Sequence, residues 1–256
     1  MTEPSTQTVV VSGGGTGIGR AITNTFANDG ATVIVVGRRA DVLKKVADGR
    51  DNVIPMSADV TDPVQLRKLA ADIKSGFGTV DVVVANAGGG HNEPIDSLED
   101  LAEHWKLIVN ANVLSAVLFE HALRPLLRRN GGRFIATTSA SARSNGGEVA
   151  YASSKAALNR WIVQVASDLG AEGITANCVS PGFVPATELY GGAIDESAYE
   201  RVSRGIAVRR VGTPQDIAAA VKYLASAEAG FVSGSVHDVD GGRLVATTTL
   251  VAAKDL

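Results

Sequence analysis

With a single cysteine, Cys178, the 256-residue chain cannot close an internal disulfide. That residue lies inside the apolar run Ile174 to Val179, where a small buried hydrophobe is expected. An excess of either charge is also lacking. The 24 Lys and Arg face 27 Asp and Glu, a net charge of −3, which removes the electrostatic case for nucleic acid or an anionic membrane as partner. The longest apolar runs are strand-sized, and none approaches a membrane span. Met1 to Gln7 is polar and contains Glu3, unlike a secretory signal. Four scattered histidines and one cysteine show no metal-ligand spacing, so no metal is expected. A reducing, cytoplasmic setting is the default these absences leave.

What is present is length, glycine and alternation. The chain can bury a sizeable core without staples, and its 28 glycines suit tight turns or close approach of backbone to a ligand. Short β-branched runs read as strands at 8–12, 32–37, 53–58, 80–85, 133–138, 174–180 and 235–239. Helical periodicity falls near 17–29, 40–48, 62–75, 98–128, 150–170 and 214–226. Most of the strand runs are continuously apolar, as expected when both sheet faces are covered. Asp62-Pro63 and Thr213-Pro214 have the form of an N-cap followed by proline at the first helical position. Repeated βα units of this size predict an α/β fold: a doubly wound, open parallel sheet with helices on both faces. No linker or repeat divides the chain, so one domain over 1–256 is expected.

The first strand runs into Ser12-Gly13-Gly14-Gly15-Thr16-Gly17-Ile18-Gly19, followed at once by a helical pattern. Glycines there let the backbone turn sharply and approach a pyrophosphate, whose charge would sit at a helix N-terminus. The second strand ends Gly37-Arg38-Arg39. A carboxylate at that position would read the ribose hydroxyls of NAD; a guanidinium fork instead suits a 2′-phosphate. NADP(H) is therefore favoured, with NAD(H) left open. The third and fourth strands end in Asp59-Val60 and Asn86-Ala87-Gly88, at the edge where such sheets bind ligands.

Tyr151 and Lys155 share a helix face at i, i+4 spacing. A free phenol titrates near 10, too high for an efficient base near neutrality, and an adjacent ammonium lowers that value. Lys155 would thus tune Tyr151 into an acid/base and also reach a ribose hydroxyl. Upstream, Thr137-Thr138-Ser139 ends the fifth strand with hydroxyls that suit a substrate oxygen.

Taken together, Ser12-Gly13-x-x-x-Gly17-Ile18-Gly19, Asp59-Val60, Asn86-Ala87-Gly88, Tyr151-x-x-x-Lys155 and Pro181-Gly182 resemble the short-chain dehydrogenase/reductase family in order and spacing. The likeness is greatest to its 3-oxoacyl-carrier-protein reductases. It implies a single-domain Rossmann fold with a seven-stranded sheet, and a catalytic tetrad of Asn, Ser, Tyr and Lys. Tyr151 would be the general acid in reduction and Lys155 its electrostatic partner. The asparagine is Asn110 or Asn112; the following Val-x-Ser-Ala-Val run favours Asn112, as anchor of a proton-relay water. The serine is Ser139 counted through the strand, or Thr138 counted back from Tyr151. The resemblance further implies that Gly13, Gly15, Thr16, Gly17, Ile18, Gly19, Arg38, Asp59, Val60, Asn86, Ala87, Gly88, Pro181, Gly182 and Val184 bind the cofactor. Thr187 falls one residue later than the family's cofactor-binding threonine.

The implied substrate is a small carbonyl or alcohol, with an acyl thioester as the alternative. Arg128 and Arg129 suit an acidic carrier protein, whereas Glu172 would repel one. The variable substrate loop covers about 183–210, with Gly191-Gly192 and Gly205 as candidate hinges, and His91 near the fourth strand end reads as a solvated loop residue, with a substrate contact as the alternative. The resemblance also implies a homotetramer, assembled through Val236–Gly242 and through the apolar faces of helices 98–128 and 150–170. A non-catalytic NADP(H)-binding or redox-sensing protein on the same fold is the competing expectation.

Overall fold

The β-branched runs pair side by side in the computed structural model, which describes residues 7–90, 94–144, 148–185 and 195–243. The strands are β1 (Thr8–Ser12), β2 (Thr32–Gly37), β3 (Val53–Ser57), β4 (Val82–Ala85), β5 (Arg133–Thr137), β6 (Thr175–Pro181) and β7 (Val236–Val239). Among the described residues they form one sheet in the order β3-β2-β1-β4-β5-β6-β7. Every neighbouring pair is parallel. Helices α1 (Gly17–Asn28), α2 (Ala40–Ala47), α3 (Pro63–Phe77), α4 (Leu98–Val109), α5 (Ser115–Leu123), α6 (Val149–Gly170), α7 (Glu196–Arg204) and α8 (Pro214–Ala225) connect the strands. This is the doubly wound Rossmann arrangement, and the order reverses between β1 and β4.

Continuous apolar strands serve two cores because neighbouring side chains point to opposite faces. Val10, Ile34, Val83 and Phe134 pack under α3, α5 and α6, against Leu69, Phe119 and Leu158. Val9, Val11, Val33, Val35 and Ile135 pack on the other face, under α1 and α8, against Ile22, Phe26, Ile217 and Val221. Each such side chain taken out of water contributes on the order of 2 kcal/mol.

Both proline-marked helix starts hold. Asp62 accepts from Val64 and Gln65 N–H at the start of α3, and Thr213 forms a capping box with Asp216 at the start of α8. The long helix expected over 98–128 is instead interrupted. α4 passes through a π-helical turn, Asn110–Leu114, into α5, and then a 3₁₀ turn, Arg124–Leu126. The extra residue per turn is invisible to a periodicity argument, since no sequence rule marks a π turn. Taken as one 29-residue span, Leu98–Leu126 is long and apolar enough to cross a membrane by length and composition, although its continuous apolar runs are strand-sized or shorter. Its apolar runs, such as Ala116 to Phe119, are short and broken by polar residues, and Phe119 and Leu123 are fully buried against the sheet. The substrate loop also contains an unforeseen helix, α7, capped by Asp195.

Candidate active site

The carboxyl ends of β1, β2, β4, β5 and β6 border a cleft of about 600 Å³, a size suited to a small-molecule or cofactor site. Its floor is the glycine turn. Gly13 has φ +65°, and a Cβ on Gly19 would lie 2.0 Å from the Gly13 carbonyl oxygen, so turn and helix close on each other only without side chains. At the start of α1, Thr16 makes no side-chain cap bond. By contrast Asp62, Ser97, Glu148, Asp195 and Thr213 cap α3, α4, α6, α7 and α8. α2 likewise lacks a side-chain cap, but the first residues of α1 line the cleft, where a helix N-terminus favours an anion. A bare glycine cradle beside uncapped amides fits a dinucleotide pyrophosphate. Gly37 and Arg38 line the same cleft where β2 ends.

The cradle is braced from β4. Ser12 Oγ accepts the N–H groups of Asn86 and Ala87, each at 3.0 Å. Asn86 Nδ2 donates to the Ser12 carbonyl at 3.3 Å, and its Oδ1 accepts from Thr137 Oγ1 at 3.1 Å. Asp59 accepts from both the N–H and the hydroxyl of Thr61, while the helix cap falls to Asp62.

At the far end, four polar side chains converge. Asn112 is fully buried in the π turn; its Nδ2 donates to Gly89 O at 2.7 Å and Ile108 O at 3.0 Å, and its Oδ1 accepts from Gly89 N–H. Lys155 is 3% exposed and donates to Thr137 O at 3.1 Å. Burial in a low-dielectric site lowers its ammonium from the usual 10.5 to about 8. Its Nζ lies 5.6 Å from the centre of the Tyr151 ring. Ser139 is half-buried and caps a 3₁₀ turn, Ala140–Ala142, accepting from Ser141 N–H at 3.2 Å. Thr138 turns inward instead, donating to the carbonyl of Lys155. The thiol of Cys178 sits beneath α6, 3.8 Å from Leu158 O; burial pushes it up to about 12, against the pull of the Lys155 ammonium.

Gly13, Gly15, Thr16, Gly17, Ile18, Gly19, Arg38, Asp59, Val60, Asn86, Ala87, Gly88, Asn112, Ser139, Tyr151, Lys155, Pro181, Gly182 and Val184 all line this one cleft. Asn110 and Thr138, the alternatives, line it too. His91, Thr187 and Gly191-Gly192 lie outside the described residues. Sequence reasoning missed Ser12 as the hub of the cradle, and it missed Glu148, which receives the Ala150 and Tyr151 N–H groups at the head of α6. A carboxylate just ahead of a helical pattern is a signal that could have found the latter.

A family model described as enoyl-(acyl-carrier-protein) reductase matches residues 13–243. The chain belongs to the short-chain dehydrogenase/reductase family. The 7α-hydroxysteroid dehydrogenase of Escherichia coli is 34% identical over 240 residues, covering 91% of this chain and 92% of that one. The 3-oxoacyl-[acyl-carrier-protein] reductase FabG of the same organism is 32% identical over 236 residues, covering 91% and 95%. An oxidoreductase of the family from Burkholderia thailandensis superimposes with a TM-score of 0.85 at 26% identity, over 98% of both chains. Pseudomonas aeruginosa RhlG, solved as an NADP active-site complex, gives 0.81 at 28% identity over 93% and 96%. Membership makes this chain an oxidoreductase of the alcohol–carbonyl type, in a family that binds a nicotinamide cofactor.

Proposed function

We propose that the chain is an NADP(H)-dependent dehydrogenase/reductase of a small carbonyl or secondary alcohol, acting through Asn112, Ser139, Tyr151 and Lys155 as a single NADP(H)-binding domain. The observation that carries this reading is the convergence of those side chains on the end of a glycine-floored cleft with uncapped helix amides. When bound, the nicotinamide gives or takes the hydride. Gly13 to Gly19 and Asn86 to Gly88 hold the dinucleotide, Arg38 reads the 2′-phosphate, and Pro181, Gly182 and Val184 wall the nicotinamide end. In reduction the Tyr151 phenol passes its proton to the substrate oxygen, and in oxidation it takes that proton back. The Lys155 ammonium favours the phenolate and binds ribose, Ser139 holds the substrate oxygen, and Asn112 anchors the water that relays protons beside Lys155.

Ion pairing favours a free ketone over a carrier-bound thioester. Arg128 is held by Asp81 at 2.6 Å and Arg129 by Glu172 at 3.1 Å, so neither guanidinium offers an uncompensated charge to an acidic carrier. The relatedness to FabG keeps the acyl thioester as second reading. A non-catalytic NADP(H) sensor is disfavoured because Tyr151 and Lys155 are both retained.

The same reading includes a cytoplasmic homotetramer with neither nucleic acid nor membrane as partner. Leu98, Leu101, Trp105, Leu107 and Leu114 on the α4 side, with Val149 and Val163 on α6, are exposed apolar residues that a second copy would cover. The second contact is expected along edge strand β7.

NADPH oxidation across a panel of ketones, β-ketoesters and acyl thioesters, with NADH in parallel and Tyr151→Phe as control, tests the function. Turnover that requires Tyr151 supports it. Tight NADPH binding without turnover across the panel favours the sensor.

A further inference from the structure

Two side-chain stripes meet between α4 and α6, that of α4 buried and that of α6 running from exposed Glu148 through half-buried Tyr151 to buried Lys155. On α4 and the π turn, His104, Ile108 and Asn112 recur at four-residue intervals, and all three are buried. On α6, Glu148, Tyr151 and Lys155 follow at intervals of three and four, which places them on one helix face. At the inner end the stripes meet around Gly88, where a Cβ would lie 2.7 Å from Asn112 Oδ1 and 3.2 Å from Lys155 Nζ. At the outer end His104 Nε2 lies 3.3 Å from Glu148 Oε1. Tyr151 sits between these two ends.

Glu148 is an unusual helix cap. Short side chains such as Ser, Thr, Asp and Asn are preferred at this position because they reach the first amides with little freedom to lose. The longer glutamate needs a further contact to be held, and here both oxygens are engaged: Oε1 accepts from Ala150 N–H and Oε2 from Tyr151 N–H, each at 2.6 Å. The His104 imidazole, 5% exposed and carried by α4, supplies that contact. The Glu148 carboxyl feels opposing effects. Partial burial raises it, but the Tyr151 and Ala150 amides and the His104 ring together bring it below the usual carboxylate range.

We infer that His104 and Glu148 are a positioning pair that ties the first turn of α6 to α4 and so sets the Tyr151 phenol in register with Asn112 and Lys155. Neither His104 nor Glu148 lines the cleft, and the pair acts through the backbone N–H of Tyr151. This inference rests on the reading of Tyr151 as the acid/base. Misplacing a reacting group by about 1 Å can cost on the order of a hundred-fold in rate, so releasing the clamp should depress kcat and spare cofactor binding.

The experiment compares His104→Leu, His104→Gln, Glu148→Ala, Glu148→Gln and the His104→Leu/Glu148→Ala double variant with wild type and with Tyr151→Phe, on the best substrate of the panel, recording kcat, KM and NADPH affinity. Thermal unfolding of each variant shows whether it is folded. The expected result is a kcat loss of about ten-fold or more for His104→Leu and Glu148→Ala, with NADPH affinity within about two-fold and a non-additive double variant. His104→Gln, which keeps an N–H donor, and Glu148→Gln, which keeps one acceptor, should recover most of that loss. Folded His104→Leu and Glu148→Ala proteins with wild-type kcat, alongside an inactive Tyr151→Phe, would overturn the positioning role and leave the acid/base reading intact. An active Tyr151→Phe would overturn both.

Discussion

Thr138 donates its hydroxyl to the carbonyl oxygen of Lys155 across 2.9 Å, both groups being buried. This bond pins the C-terminal end of β5 to the turn of α6 that carries the ammonium. It also separates the two hydroxyls that sequence counting left as alternatives. Thr138 is committed to the backbone, while Ser139, one residue on, is half-buried in the cleft wall. Ser139→Ala is therefore expected to lower kcat by about a hundred-fold, the scale of losing one donor to the reacting oxygen. Thr138→Val should keep turnover within a few-fold of wild type and lose about 0.5–1.5 kcal/mol of stability, the net worth of one hydrogen bond, because the Lys155 carbonyl lies inside α6 and keeps its helical partner. Steady-state kinetics and denaturant unfolding of the two variants check the assignment, and the reverse pattern would move the role to Thr138.

Lys155 makes a pH prediction whose sign is fixed by burial. Its folded value, about 8, lies below the usual 10.5, so folding disfavours the charged form. The penalty is complete below pH 8 and fades as pH rises through 8 toward 10.5, where the unfolded chain binds the proton and the folded one does not. A difference of that size corresponds to about 3 kcal/mol. Lys155→Met should therefore raise the thermal midpoint of the ligand-free protein at pH 7 while abolishing turnover. The stability gain should shrink on titration toward pH 10. A gain independent of pH would show that the charge is not its source.

Arg38 stands where β2 ends, beside Gly37 and with its side chain exposed at the cleft. Arg38→Ala should weaken NADPH by about ten- to a hundred-fold, the loss of one charge-assisted pair to phosphate, and change NADH by less than about two-fold. Fluorescence titration with both nucleotides measures this, and equal losses would remove Arg38 from phosphate recognition.

Gly88 tests the convergence of Asn112 and Lys155. A methyl group there would press on the amide oxygen of Asn112, which its bonds to Gly89 and Ile108 keep from yielding. Gly88→Ala is expected to cut turnover by about a hundred-fold. Gly76→Ala is the control: Gly76 lies in α3 with nothing within 4 Å of a new Cβ, so the change should leave kinetics alone and add about 0.5–1 kcal/mol of helix stability.

The apolar exposure on α4 and α6 sets an expectation for assembly. Light scattering at micromolar concentration should show a tetramer or dimer. Leu114→Glu, which places a charge on the exposed face of the π turn, should shift the population to smaller species. A monomeric wild type would refute the assembly.

The sequence made the sheet and cradle legible because their signals are local. Continuous apolar runs mark buried parallel strands, Asp62-Pro63 and Thr213-Pro214 mark helix starts, and glycines after β1 mark the turn. Boundaries moved by a residue or two: β4 begins at Val82, leaving Val80 as an isolated bridge to Leu127. Three features were not legible, each for a physical reason. The π turn at Asn110–Leu114 changes backbone winding without changing residue type. α7 is strongly polar on average and lies in a stretch read as loop, so the helical period of its few apolar residues was passed over. The His104–Glu148 contact joins residues forty-four positions apart, and only the packing of α4 on α6 brings them together.

Cys178 has a use as an unfolding clock. Its thiol is wholly enclosed by β6 and α6 and titrates near 12, so a thiol reagent at neutral pH meets almost no thiolate while the fold is closed. Labelling then waits for α6 to lift from the sheet, the same helix that carries Tyr151 and Lys155. With no other cysteine in the chain, the rate at which this sulfur is captured counts how often α6 lets go, and any ligand that clamps the cleft should slow the count.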